Sequence, residues 1–532
     1  MSSPIYWSGS MRGNHKYYEI REDCNFYEML LNAYNLYKDR IAVKYRKDEQ
    51  IKEIAYLELI ENICSLYNYY KSAKINDINI GIISENRYEY IPIYLSTVFS
   101  NVIAPIDREL SEVKLYELLK KFDIKMLFYT NKTKNKVLKA TTKLKIKLFN
   151  IDEEFNKIIS NKNDVGEMFE NIKTVAKDKF STLAFTSGTT GEVKGVMLSQ
   201  YNIVSNLWAA HKSNILKSPL LYTLPMNHTY GFNLGILTAL YQGITICLTM
   251  NLKHFQKDLK EYNPYYVGSV PLVVEGVYKN ILAEVKRRKK EKFFLRMIKI
   301  SNFLLKLKID VRHILFGNVL NKNLRLFVSG GASLDESYIQ KYKELGIQVL
   351  NGYGLTECSP LVSVNRDIYN VAGSVGVVIA GISVKIAKDQ EILVKGSNVM
   401  LGYYKNEQAT KEAMVKGYYK TGDLGYKKDN VLYITGRKKN LIILANGKNF
   451  SPEEIENKLL QLDYIKECVV YLKKDQDKEK IIAKIFLEEP NKKLEADINL
   501  INSDLQYYMR IDEYEIIDKE FEKTSTKKII RS

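Results

Sequence analysis

Thr186-Ser-Gly-Thr-Thr-Gly-Glu-Val-Lys-Gly195 follows the short apolar run Ser181-Thr-Leu-Ala-Phe. A strand that ends in such a turn is where an open α/β sheet takes its ligand. Gly188, Gly191 and Gly195 let the backbone bend and present N–H groups to an anion. The hydroxyls of Thr186, Ser187, Thr189 and Thr190 are donors for phosphate oxygens, and Lys194 adds a positive charge. The stretch is not a Walker A loop. Counted from Gly188, that pattern needs Gly at position 193, where Val stands. Taken alone, the stretch reads as readily as an ordinary flexible turn.

The flanking sequence sets the fold class. Asn79-Ile-Gly-Ile-Ile-Ser and Ile124-Lys-Met-Leu-Phe-Tyr-Thr read as short buried strands between amphipathic segments, which predicts an α/β layer structure. Tyr265-Tyr-Val-Gly-Ser-Val and Leu326-Phe-Val-Ser are further apolar runs that end in turns. From about 372 to 435, Gly373, Gly376, Gly381, Gly396, Gly402, Gly417, Gly422 and Gly425 punctuate β-prone runs, which predicts a β-rich subdomain. After Gly436-Arg437 the pattern is again mixed. Ser451 is the N-cap candidate and Pro452 the first residue of a helix, and Val469-Val-Tyr-Leu and Ile481-Ile-Ala-Lys-Ile-Phe-Leu read as strands. The expected domains are residues 1–436 and 437–532.

Other turns carry chemistry of the same kind. Asn351-Gly-Tyr-Gly-Leu-Thr-Glu357 reads as a polar turn after Ile347-Gln-Val-Leu. Counted from Gly352, Glu357 occupies the sixth position, where the dinucleotide fingerprint needs Gly, so that fingerprint fails. Tyr353 offers a ring for base stacking and Glu357 an oxygen ligand for a hard cation. Tyr419-Lys-Thr-Gly-Asp423 sets a carboxylate in a turn, suited to ribose hydroxyls, and Arg437 offers a forked donor.

Composition removes several classes. Only 28 Gly and 10 Pro in 532 residues exclude collagen-like and low-complexity chains, and 39 Tyr with 19 Phe supply the apolar surface that a disordered chain lacks. Cys24, Cys64, Cys247, Cys358 and Cys468 are far apart and form no CxxC pair, which fits a reducing cytoplasm better than a disulfide framework or a zinc site. Met1-Ser-Ser-Pro-Ile-Tyr-Trp lacks a charged stretch followed by an apolar one, so no secretory leader is expected. Ser218–Leu252 has no charged residue, and Thr229–Met250 is long enough to span a bilayer. Gly231, Asn233, Gly235, Gln242 and Gly243 interrupt it, so it is read as a buried segment of a soluble protein.

In this order, the loop, Gly-Tyr-Gly-x-Thr-Glu, Thr-Gly-Asp and Gly-Arg-Lys-Lys resemble the adenylate-forming superfamily, which includes acyl-CoA synthetases, peptide-synthetase adenylation domains and luciferases. The resemblance runs from about residue 25 to 531. It implies a large N-terminal domain of sheet and β-barrel subdomains and a small, mobile α+β C-terminal domain. It also implies that Thr186 to Lys194 hold the β- and γ-phosphates of ATP, that Gly331, Ala332, Ser333 and Tyr353 frame adenine, and that Thr356 touches the α-phosphate. Glu357 is then the Mg²⁺ ligand, Asp423 the ribose acceptor with Arg437 nearby, and Lys528 the bridge between substrate carboxylate and α-phosphate. Lys439 matches the hinge and Gly447 the glycine lining the thiol channel, although Asn446-Gly447 alone also reads as a plain turn. Val193 departs from the usual Pro of the loop. Lys527 replaces the usual Gly before the catalytic lysine, which leaves Lys527 and Lys528 as competing registers.

The implied chemistry has two steps. A carboxylate attacks the α-phosphate of MgATP to give acyl-AMP and pyrophosphate, and a thiol then displaces AMP. Leu224-Pro-Met-Asn-His-Thr-Tyr-Gly-Phe232 resembles the segment shaping the acid pocket. Amino-acid-activating members carry an Asp there, and Asn227-His228 stands in this chain. That favours an uncharged fatty acyl group, with His228 orienting or gating it or simply packed in the core. Coenzyme A is the expected acceptor, with an acyl carrier protein as the alternative. Between Glu284 and Lys308, ten Lys/Arg stand against two Glu, a net +8 of the chain's +18, interleaved with Leu295, Ile298, Phe303, Leu304, Leu305 and Leu307. This segment, 284–308, reads as a basic amphipathic helix for a membrane inner face, an anionic carrier protein, or a solvated surface, and not for nucleic acid.

Overall fold

The computed structural model describes residues 17–161, 163–187, 193–249, 252–317, 321–332, 334–445, 448–475, 478–487, 491, 493–523 and 529–531. The chain divides into two compact units, Met1–Ser383 with Val394–Tyr419, and Val384–Leu393 with Lys420–Ser532.

The first unit holds two large sheets flanked by helices. One runs in the order Gly402–Tyr403, Val193–Ser199, Phe180–Ser187, Val102–Pro105, Asn79–Ile83, Ile124–Tyr129, Lys147–Asn150. Every residue of Asn79–Ile83 is buried, as its unbroken apolar pattern predicts for a parallel strand covered on both faces. The second sheet has a parallel centre. Leu326–Ser329 pairs with Tyr266–Ser269 on one side and Gln348–Gly354 on the other, and Leu220–Tyr222 and Ile246–Leu248 follow outward from Tyr266–Ser269. Phe327, Val349 and Tyr342 form part of the core beside this sheet, and the Tyr342 hydroxyl is satisfied by donating to Val274 O at 2.7 Å.

Asn351-Gly-Tyr-Gly354 differs from the predicted turn. It continues the strand Gln348–Gly354 and switches to antiparallel pairing, with Gly352 opposite Val364 and Tyr353 opposite Ser363. Partners across a ladder outweigh the turn preference of Asn and Gly. The uncharged stretch after Ser218 forms Leu220–Tyr222, a π-helix at Tyr230–Leu237, Thr238–Tyr241 and Ile246–Leu248, largely buried. No helix among the described residues is long and apolar enough to cross a membrane. The basic segment forms two helices rather than one, Pro271–Arg287 and Glu291–Lys306, broken where Lys289 takes a left-handed φ of 54°.

In the second unit, Asp423 to Lys428 pairs antiparallel with Val431 to Arg437. Ile465–Asp475, Lys478–Leu487 and Glu513–Ile517 form a three-stranded sheet, with Ile455 and Leu459 of the helix Pro452–Leu459 in the core beside it. Ser451 sits at the predicted N-cap, but its hydroxyl bonds to Glu453 instead of capping a backbone N–H.

Candidate active site

In the first unit the turn of interest is the connection of a hairpin. Thr186 pairs with Lys194 and Ser187 with Val193, so five residues link the two strands. Gly188, Thr189, Thr190 and Gly191 lie outside the described residues, as does Ser333. The hairpin register holds Lys194 at the mouth of this connection. Its ammonium lies 4.8 Å from the ring centroid of Tyr403, within cation–π range.

Tyr403 leads to Glu357. Its hydroxyl donates to Glu357 Oε1 at 3.0 Å and lies 3.3 Å from the Tyr419 hydroxyl. Burial first, then the Glu357 carboxylate, push the pKa of both phenols far above the ordinary value, so they stay protonated donors. Glu357 is only 8% exposed. It sits in the single 3₁₀ turn Thr356–Cys358, and Met400 N donates to its carbonyl at 2.9 Å. Among the described residues no group of three or more His, Cys, Asp or Glu could hold a metal ion. One buried carboxylate fits Mg²⁺, which takes most of its shell from phosphates and water.

The turn that delivers Thr356 and Glu357 depends on Gly354. A Cβ there would stand 1.9 Å from Pro360 O, which is backbone and has no room to yield. Gly354→Ala is therefore expected to cost about 3 kcal/mol or more, because relief requires moving the chain at Pro360. A clearly lower thermal midpoint checks this, and an unchanged one would show that the turn accommodates a side chain.

Tyr353 and Gly331 line one cavity of about 720 Å³, measured with open solvent at its mouth. Ala332, the next residue of the loop after Leu326–Ser329, is exposed. Tyr230 and Leu234 of the π-helix line the same cavity. Tyr230 is fixed there because its hydroxyl donates to Ser269 O at 2.8 Å, with Val328 O at 3.2 Å. The helix packs this closely because position 231 is glycine, where a Cβ would meet Pro225 O at 2.2 Å. His228 precedes the helix, half-buried, and its carbonyl accepts from Phe232 N at 2.8 Å.

The second unit brings Asp423 and Arg437 together as cross-strand partners, with Arg437 Nε donating to Asp423 Oδ1 at 2.6 Å. Asp423 is 4% exposed, and its N–H donates to Thr421 Oγ1 at 3.1 Å. Burial pushes the Lys439 ammonium below its ordinary pKa, and the nearby Arg437 and Arg531 add to this. Gly447, Lys527 and Lys528 lie outside the described residues. The described residues on either side of the two lysines make firm contacts. Lys523 bridges to Ile529, its ammonium binds Glu467 and Glu520, and Arg531 binds Glu456 and, at 3.4 Å, Glu453.

Tyr230, Tyr403 and Tyr419 are site-building residues that sequence reasoning left unassigned. Tyr230 and Tyr419 lie within the acid-pocket segment and the Thr-Gly-Asp stretch, but nothing in the spacing of Gly402-Tyr403 announces contact with residue 357.

The sequence profile of the AMP-binding enzyme family matches residues 32–404. The long-chain-fatty-acid–CoA ligase FadD15 of Mycobacterium bovis is 33% identical over 328 residues, covering 58% of this chain and 54% of that protein. The chloroplastic long-chain-fatty-acid–[acyl-carrier-protein] ligase AEE15 of Arabidopsis thaliana is 28% identical over 389 residues, covering 60% of this chain and 52% of that protein. The chain thus spans about half the length of these curated relatives. The crystal structure of ATP-bound MatB from Rhodopseudomonas palustris shares the fold, with a TM-score of 0.76 at 19% identity over 95% of this chain and 96% of that one. With more than half its length matched, the chain belongs to the AMP-binding enzyme family, the adenylate-forming enzymes.

Proposed function

We propose that this protein activates a medium- or long-chain fatty acid with ATP and transfers the acyl group to the thiol of coenzyme A. The observation that carries the choice of acid is the cavity. Its wall includes Leu216, Leu234, Leu350, Leu361 and Val364, and among the described residues no Asp, Glu, Lys or Arg lines it. A buried ammonium would need a carboxylate partner there, whereas an alkyl chain needs only apolar area. The cavity extends to Gly331 and Tyr353, the residues expected beside adenine, so an acid bound in it presents its carboxylate towards the nucleotide.

In the first step a carboxylate oxygen attacks the α-phosphorus and pyrophosphate leaves. Two anions must approach, so the protein's task is to offset their repulsion and fix the line of attack. Lys194 and the hydroxyls from Thr186 to Thr190 hold the leaving pyrophosphate, and Thr356 orients the α-phosphate. Glu357 would hold Mg²⁺, which when bound supplies neutralising charge on the phosphates. Asp423 accepts from the ribose hydroxyls, with Arg437 beside it. Lys528 bridges the carboxylate and α-phosphate, and His228 orients or gates the acid. In the second step the thiol sulfur attacks the acyl carbonyl, gives up its proton, and AMP leaves. Lys439 serves as hinge for a lid beginning near residue 437, and Gly447 lines the thiol's path. Such a swing lets one acyl phosphate meet two sets of groups. The five cysteines form no disulfide among the described residues and four of them are buried, which suits a reducing cytoplasm.

A second reading, transfer to an acyl carrier protein, is favoured by the similarity to AEE15. Mass spectrometry of the thioester formed from palmitate or octanoate, with coenzyme A and carrier protein competing, separates the two. Acyl-CoA is the expected product, and exclusive acylation of the carrier would replace the first acceptor with the second.

A further inference from the structure

The helix Glu291–Lys306 has two apolar faces. Phe294 and Ile298 form the inner one, buried in the core, where the Phe294 ring meets Phe316 edge-on at 5.6 Å. On a surface helix the opposite side is normally polar. Here Phe293, Ile300, Phe303 and Leu307 recur at steps of seven, three and four residues, which places them along one line of the helix. They are 59%, 41%, 61% and 57% exposed. Lys292, Lys299 and Lys306 repeat every seven residues and run alongside this stripe, and Arg296 lies within it. The nearest acid before the helix, Glu284, is already paired with Arg287 and Arg288.

We infer that this outer face docks on a bilayer surface containing anionic lipid. Four large apolar side chains on a convex helix match the acyl boundary of a bilayer, and long lysine stems beside them let the ammonium groups reach the headgroups. An acidic carrier protein would satisfy the charge yet leave the apolar stripe in water. A second copy would bring one net +8 segment against another, so self-association is opposed by charge. The inference goes beyond the ligase reading, and vesicle binding is measured without catalysis, so either can fail alone.

The test uses the full chain and extruded vesicles of phosphatidylcholine with and without phosphatidylglycerol, read by co-sedimentation. Two variants are compared with it, Phe293→Ser/Phe303→Ser and Lys292→Glu/Lys299→Glu/Lys306→Glu. The expected result is binding to the anionic vesicles that weakens by about tenfold or more in each variant, with melting temperature and pyrophosphate exchange kept. No vesicle binding, equal binding by both variants, or equal binding to phosphatidylcholine alone would overturn the proposal. So would concentration-dependent dimers lost in the Phe variant. Carrier-protein binding lost only in the Lys variant, without vesicle binding, would assign the face to a protein partner and overturn it as well.

Discussion

Glu357→Gln is expected to lower acid-dependent pyrophosphate exchange by about 10²–10³-fold while leaving the melting temperature nearly unchanged. The amide has almost the shape of the carboxylate. Its oxygen still accepts from the Tyr403 hydroxyl, which lies 3.0 Å from Oε1, and the backbone contact from Met400 is untouched. What disappears is one negative charge at an 8% exposed position, the feature a hard cation requires. The substitution should therefore also raise the Mg²⁺ concentration needed for half-maximal exchange. A large fall in stability with normal exchange would instead make Glu357 a structural partner of Tyr403.

Lys528→Ala should abolish adenylation, by about 10²-fold or more, yet spare thioester formation from supplied acyl-AMP. The lysine is assigned to the approach of two anions, which occurs only in the first half-reaction. Once the acyl phosphate exists, its charge is no longer needed for that purpose. The supporting structure is the pair of anchors around the segment, at Lys523–Ile529 and at Arg531 with Glu456. Both anchors fix described residues on either side of the two adjacent lysines. Lys527→Ala serves as the register control. If it produces the split between half-reactions and Lys528→Ala does not, the assignment moves by one residue.

The elements that carry the site were legible where composition and period agree. Asn79–Ile83 and Leu326–Ser329 are apolar apart from one terminal residue each, and parallel pairing in a covered sheet is the structure that buries both faces. The site's outline was legible as a series of Gly-, Thr- and Ser-rich turns. Its depth was not. Asn351–Gly354 looked like a turn because Asn and Gly favour turns, and only a partner strand some ten residues later, Leu361–Val364, makes it a strand. The π-helix at Tyr230–Leu237 lies close against Pro225 O at Gly231, an approach that no local periodicity encodes. The contact from Tyr403 to Glu357 joins residues 46 apart in sequence and exists only in the fold. The basic helix was visible as charge, but which of its apolar residues turn inward was not. Ile298 is buried and Phe303 exposed, although both stood in the same pattern.

Pyrophosphate exchange into ATP, measured with palmitate, octanoate, an aryl acid and a set of amino acids, shows which acid the protein adenylates. Fatty-acid adenylation predicts exchange with one or both of the fatty acids and none with amino acids. Exchange with amino acids and not with any fatty acid would contradict it.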